Sequence, residues 1–130
     1  MEELVEKMKA VLASTFAAGL KAQSYHWNVI GSDFPQLHDF FATIYEDYHG
    51  AVDPLAEHIR QLDAFAPQTL TRMKELSIIM EDEKIPTAEK MIANLLTCNE
   101  NLSNLVIEAY EMAEEQKMYG LSNYLQDRIT

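Results

Sequence analysis

Four side chains, two histidines and two carboxylates, have the types and spacing to bind one metal ion. Asp53 and Glu57 are four residues apart, so on a helix both lie on one face, about 6 Å apart along the axis, and can contact one ion. His26 and His38 stand near the end of the first predicted helix and the start of the second. Mixed imidazole and carboxylate ligands suit ferrous iron and its reaction with oxygen or peroxide, although zinc and manganese also bind such sets.

Plainer interpretations of the same residues stay open. Asp53 and Glu57 can form a solvated helix face, and a histidine beside Trp27 can be a satisfied core or capping residue. The pair Glu46 and His49 has the Glu-x-x-His spacing of di-iron bundles, but the sequence contains no second such pair. A complete di-iron site within one chain is therefore not expected.

The elements that must position these residues are helices, because apolar residues recur with the 3.6-residue period. We predict helices over 4–28, from about 35 to 63, from Thr87 to Gly120 and from about Leu121, with a short one near Thr71–Ile79. Two helical hairpins joined by a long crossover are the connectivity of an all-α, ferritin-like four-helix bundle. The last helix is short, since the sequence ends at Thr130.

Two local patterns concern the second helix, which would carry three of the four candidate ligands. Asp33 followed three residues later by Gln36 resembles a capping box. Pro54 lies in the helix interior, where it removes one backbone hydrogen bond and crowds the carbonyl of Gly50. We therefore expect a kink or bulge beside Asp53 rather than a break.

A distance estimate indicates that the metal site is shared between two chains. His38 and Asp53 are 15 residues apart on one predicted helix, which is about 22 Å at ~1.5 Å per residue. One chain cannot place both on the same ion. In an antiparallel two-fold dimer, the histidines of one chain meet the carboxylates of the other, and two identical sites form.

Composition limits the class of protein. The chain has 130 residues, enough for one domain, and no apolar stretch approaches the roughly 20 residues that span a membrane. The acidic N-terminus does not resemble a secretory signal, and the one cysteine, Cys98, permits no intrachain disulfide, so we expect a cytoplasmic location. The net charge of −11 disfavours binding to nucleic acid and attracts cations, although it can also serve solubility alone.

The chain resembles the Dps family of mini-ferritins over nearly its whole length. The resemblance rests on the segment His26-Trp27-Asn28, on His38 12 residues after His26, on Asp53 15 residues further and on Glu57 four residues after that. The family pattern has a His-Trp-Asn motif, a second histidine, an aspartate and a glutamate at these same intervals.

This resemblance implies a function. Members form dimers within hollow twelve-subunit shells, oxidise Fe(II), preferentially with hydrogen peroxide, and keep the ferric mineral inside, which protects against oxidative damage. The implied iron ligands and catalytic residues are His26, His38, Asp53 and Glu57, with the two histidines contributed by the partner chain.

Three departures from the family pattern bear on this expectation. Ala42 stands where the family commonly has an aspartate for a second iron, although Asp39 or Glu46 can substitute. One alternative is therefore a metal-binding shell protein with weak or no ferroxidase turnover. The chain begins without the lysine-rich tail of DNA-binding members, which argues against a DNA-compacting role. Members also continue beyond the position of Thr130, so the fourth helix is expected to be short or truncated.

Overall fold

The computed structural model describes residues 1–129, which form helices and no strands. The helices are α1 (Glu2–Asn28), α2 (Phe34–Gln61), α3 (Leu70–Leu76), α4 (Ala88–Glu115) and α5 (Tyr119–Ile129). The four longer helices form a bundle in which α1 and α2 are an antiparallel hairpin, and α3 lies on the long crossover, against α1. The predicted all-α, ferritin-like bundle is confirmed.

Two clusters of buried side chains stabilise the bundle. The larger cluster fills its middle and the end where α1 begins, and it draws its largest members from four helices: Leu4, Met8, Leu55, Ile59, Leu102 and Leu125. The smaller cluster lies where α1 ends and both α2 and α4 begin, and it consists of Ala22, Tyr25, Val29, Phe41, Met91 and Leu95. The smaller cluster therefore underlies the end of the bundle where the two candidate histidines are located.

Helices α2 and α4 each end in a Schellman motif that contains no glycine. After α4, Lys117 has a φ of 60°, the amide of Met118 donates to the carbonyl of Ala113 at 2.8 Å, and that of Lys117 donates to the carbonyl of Glu114 at 3.0 Å. The prediction that Gly120 ends this helix was wrong. A lysine adopts the left-handed conformation that glycine usually supplies, and Gly120 lies inside α5 instead.

The N-cap residues of α2 and α4 differ in whether their side chains cap the helix. The Thr87 hydroxyl accepts a hydrogen bond from the amide of Lys90 at 3.2 Å, as expected for an N-cap. Asp33 occupies the N-cap position of α2, but its side chain makes no capping bond. Its backbone, at φ −94° and ψ 16°, is not in the extended region that directs an N-cap side chain toward the helix amides. The predicted capping box is therefore absent.

Helix α2 continues through Pro54 without interruption from Phe34 to Gln61. The helix is therefore not broken beside Asp53, in agreement with the expectation, and 28 residues of one element carry His38, Asp53 and Glu57.

Several of the apolar side chains that recur along the predicted helices lie on the surface of the single chain. Leu20 and Phe40 are each 50% exposed, and Ile92 is 44% exposed. None of the helices within residues 1–129 is long and apolar enough to cross a membrane.

Candidate metal centre

His26 and His38 form a reciprocal pair. His26 lies in the last turn of α1 and His38 near the start of α2, and their rings stack with centroids 3.7 Å apart and planes inclined by 20°. Nδ1 of each ring makes a 2.7 Å hydrogen bond with the backbone carbonyl oxygen of the other residue. A carbonyl only accepts, so each Nδ1 carries a proton, and in the neutral imidazole each Nε2 then keeps a lone pair. This is the tautomer that a metal-binding imidazole needs.

Aromatic residues fix this pair from both sides. The ring of Phe34 stacks on His38 at 5.0 Å, and the ring of Tyr45 lies 5.3 Å from that of His26. Beneath them, Tyr25 and Phe41 of the smaller core cluster pack together at 5.9 Å. Because both imidazoles are held by packing as well as by hydrogen bonds, they are positioned before any ligand arrives.

A polar network anchors the crossover to the same end of α1. The side-chain ammonium of Lys21 donates to the carbonyl of Met80 at 2.7 Å and lies 3.3 Å from a carboxylate oxygen of Asp82. The hydroxyl of Tyr25 donates to Asp82 and accepts from Asn94. Burial and the neighbouring Asp82 carboxylate raise the pKa of the Tyr25 phenol, so this residue stays neutral in the network. The turn that carries His26 is thus tied to α4 and the crossover.

The second half of the candidate site is a pair of exposed carboxylates. Asp53 and Glu57 lie one turn apart on α2, and neither forms a hydrogen bond or an ion pair with the residues that the structure describes. Their charges are therefore available for a cation.

The two halves do not meet within one chain. Among residues 1–129, no group of three or more histidine, cysteine, aspartate or glutamate side chains gathers at metal-binding distance. The structure therefore brings His26 together with His38, and keeps Asp53 with Glu57, but holds the two pairs apart along an unbroken helix.

The residues near the expected position of a second ion do not supply a further cluster. Ala42 is half-buried, and Asp39 and Glu46 are exposed on α2. None of them belongs to a metal-binding group with either candidate histidine within the described part of the chain.

Tyr45 of α2 also contacts the histidine pair, although its residue type alone did not mark it as part of the site. The ring of Tyr45 lies 5.3 Å from His26 on one side and 5.3 Å from His49 on the other. The spacing in the sequence indicates this position, because Tyr45 follows His38 by seven residues and so lies two turns along the same helix face.

The two remaining histidines, His49 and His58, lie at an exposed and a half-buried position respectively, and each makes one ring contact. His49 lies over Gly19 of α1, where an added Cβ would come within 2.6 Å of the imidazole ring. His58 stacks on Tyr124 of α5 at 4.7 Å, and burial lowers its pKa. Cys98 is buried in the larger core cluster, and burial raises the pKa of its thiol.

Comparisons with known proteins place the chain in a family. Residues 5–130 match the family of ferritin-like domains. The DNA protection during starvation protein of Halobacterium salinarum is 27% identical over 131 residues, covering 98% of this chain and 71% of that protein. An uncharacterized low temperature-induced protein of Nostoc is 28% identical over 116 residues, and the chain spans only 65% of its length.

Solved structures agree with the sequence match. Dps from Staphylococcus aureus is 28% identical with a TM-score of 0.94, covering 99% of this chain and 87% of that one. Dps from Vibrio cholerae, described as a member of a broad superfamily of ferritin-like diiron-carboxylate proteins, is 26% identical with a TM-score of 0.94, covering 98% and 80%. The chain therefore belongs to the ferritin-like domain family, and its resemblance within that family is to Dps proteins.

Proposed function

We propose that this protein binds Fe(II) at sites shared between two copies of the chain and oxidises it, with His26 and His38 from one copy and Asp53 and Glu57 from the other. The observation that carries the proposal is the reciprocal hydrogen bonding of His26 and His38, which prepares two Nε2 lone pairs side by side. Histidines that were only structural would not need both Nε2 atoms free.

The donor set fits iron in both of its oxidation states. Two neutral imidazoles and two carboxylates balance the charge of a ferrous ion. The carboxylate oxygens are hard ligands, and they favour the more highly charged ferric product. A net charge of −11 per chain concentrates cations near the protein. Hydrogen peroxide is the oxidant that we propose, since its consumption together with Fe(II) removes both reagents that form hydroxyl radicals.

The proposed function also requires that several copies of the chain assemble. The separation of the two half-sites requires at least a two-fold dimer, and a twelve-subunit shell in the cytoplasm would hold the ferric product away from other molecules. The exposed aromatic side chain of Trp27, adjacent to His26 and 59% exposed in the single chain, supports the assignment of this face to subunit contact.

The test is iron oxidation by the purified protein. Fe(II) and hydrogen peroxide are mixed anaerobically, and ferric absorbance is followed for the wild type and for Asp53→Asn, which keeps the shape but loses the charge. We expect acceleration over buffer in the wild type and its loss in the variant. A matched control is Asp127→Asn, since Asp127 is an acidic residue on α5. No acceleration in the wild type would reject the function.

A second candidate function is favoured by Ala42. If the second iron position is required for turnover, the protein is a divalent-metal buffer that binds without oxidising. Ala42→Asp should then raise the oxidation rate markedly while leaving binding at the first position intact. An unchanged rate in this variant would exclude the buffer interpretation.

Binding to DNA is the least supported role. The Halobacterium relative is named for DNA protection, but a net charge of −11 repels phosphate groups. We expect no retardation of DNA in a gel-shift assay at low salt. Retention at low salt that disappears on raising the salt concentration would contradict this charge argument.

A further inference from the structure

Glu46 and His49 on α2 have the Glu-x-x-His spacing of di-iron bundles, but they take no part in the four-ligand set proposed above. One chain contains a single such pair, and the motif binds metal together with a second pair. A two-fold dimer supplies the second pair, since the partner's Glu46 and the partner's His49 are the same residues of an identical chain. Whether the two pairs meet depends on where the two-fold axis passes α2.

The proposed iron sites locate this axis along α2. Because the histidines of one chain meet the carboxylates of the other, the axis lies level with the midpoint between His38 and the pair Asp53 and Glu57. That midpoint falls between residues 45 and 48. Glu46 and His49 therefore each lie within about 5 Å of the level of the axis, at ~1.5 Å per residue, and the iron ligands of α2 lie about 11 Å or more from it.

Glu46 and His49 also lie on the face of α2 that the proposed dimer covers. At 3.6 residues per turn, they share a strip about 80° wide around the helix axis with His38 and Asp53. Both side chains are exposed in the single chain. The face that presents iron ligands to the partner near each of its ends thus presents Glu46 and His49 to the partner at its centre.

The imidazole of His49 is held with one nitrogen directed away from its own chain. Its Cδ2 and Nε2 atoms face Gly19 of α1, where an added Cβ would lie 2.6 and 3.0 Å from them. In a five-membered ring the atom opposite that edge is Nδ1, so Nδ1 points away from α1. The ring of Tyr45 meets the imidazole edge-on at 5.3 Å. Neither His49 nor Glu46 forms a hydrogen bond or an ion pair with the residues that the structure describes.

We propose that Glu46 and His49 of two chains form a four-ligand zinc site on the two-fold axis, an inference that rests on the dimer of the proposed function. Two imidazole nitrogens and two carboxylate oxygens are ligands that zinc takes in four-coordinate structural sites. The ion balances the charge of the two Glu46 carboxylates, which symmetry brings to one interface and which repel each other without a cation. Zinc has no redox chemistry, so this central ion joins the two chains and takes no part in iron oxidation.

The experiment is calorimetric titration of the chelator-treated assembly with zinc, in a background that carries His38→Ala and Asp53→Asn to weaken the iron sites. To this background we add either His49→Phe, which keeps a ring but removes its nitrogens, or Glu46→Gln, which is isosteric and exposed. The matched control is Glu100→Gln, which changes an exposed carboxylate on α4. A parallel series uses cobalt(II), because its visible spectrum reports four-coordinate ligation.

We expect about one zinc per two chains in the background and in the Glu100→Gln control. Both this zinc and the intense cobalt band should be lost in His49→Phe and in Glu46→Gln. A background that binds no zinc, or zinc binding that is unchanged in Glu46→Gln, would overturn the proposal. So would about one zinc per chain, since that stoichiometry belongs to the remaining ligands of the iron sites. If His49→Phe does not assemble, Glu46→Gln decides, because it alters only an exposed side chain.

Iron oxidation by the otherwise wild-type protein separates this inference from the proposed function. Oxidation by the wild type, with no zinc bound in the background, rejects the central site alone. Zinc at about one per two chains in a protein that does not accelerate iron oxidation rejects the proposed function and keeps the central site. The single substitution His49→Phe should leave iron oxidation unchanged. A loss of oxidation in that variant would assign His49 to the iron site and overturn the proposal.

Discussion

Complementation between two inactive chains tests whether the metal site is shared. In His38→Ala the backbone carbonyl of residue 38 remains, so His26 keeps its Nδ1 partner and only one ligand is lost. In Asp53→Asn one carboxylate becomes an isosteric amide on the exposed face of α2. Each variant alone should fail to bind iron at the site, because every site in a homogeneous dimer lacks one ligand.

The recovery expected on mixing follows from the geometry. The 15 residues between His38 and Asp53 span about 22 Å of continuous helix, so each proposed site would take histidines from one chain and carboxylates from the other. A mixed dimer then has one intact site and one doubly defective site. With equal co-expression about half of the dimers are mixed, and we expect about one quarter of the wild-type sites. Iron titration of the co-purified assembly measures this fraction.

A second mixture serves as the control. When the chain carrying both substitutions is co-expressed with the wild type, every mixed dimer loses both sites, so about one quarter of the sites again survive. A site within one chain would instead give none in the first mixture and about one half in the second. Either of those values would refute the shared site.

Three other outcomes are expected. Ala42→Asp should raise iron bound per shared site from about one to about two by titration, and unchanged stoichiometry would contradict the assignment of that position. Phe41→Ala should lower the free energy of unfolding by about 3–5 kcal/mol in urea denaturation. Phe40→Ala, at the neighbouring exposed position, should cost much less, and equal losses would contradict the core assignment. Because burial lowers the pKa of His58, stability should fall as pH drops through about 6.5, where the unfolded chain gains its proton; His58→Phe should flatten this profile.

Much of the fold was accessible from sequence because periodicity reports which helix faces are buried. Helices α1, α2 and α4 were predicted to within a few residues, apart from the end of α4. The end of α4 was not predicted because the residue in the left-handed conformation there is Lys117. Only the hydrogen bonds across the last turn show that this lysine takes the place usually held by glycine. The capping box failed for a similar reason, since the backbone of Asp33 rather than its residue type decides whether the side chain can cap.

Part of the candidate site was likewise predictable from sequence, and part was not. The spacing of His26, His38, Asp53 and Glu57 along predicted helices was sufficient to indicate a metal site and to exclude its completion within one chain. Distances along a helix depend only on residue count, so such conclusions need no tertiary information.

Only the tertiary structure decided how the two candidate histidine ligands are oriented. The exchange of hydrogen bonds between His26 and His38, which frees both Nε2 atoms, depends on how closely the ends of α1 and α2 approach. The contact of Tyr45 with His26 depends on the rotation of one helix against the other. Residue spacing fixes positions within one helix, but the approach and rotation of two helices result from packing of the whole core, and that determines which side chains meet.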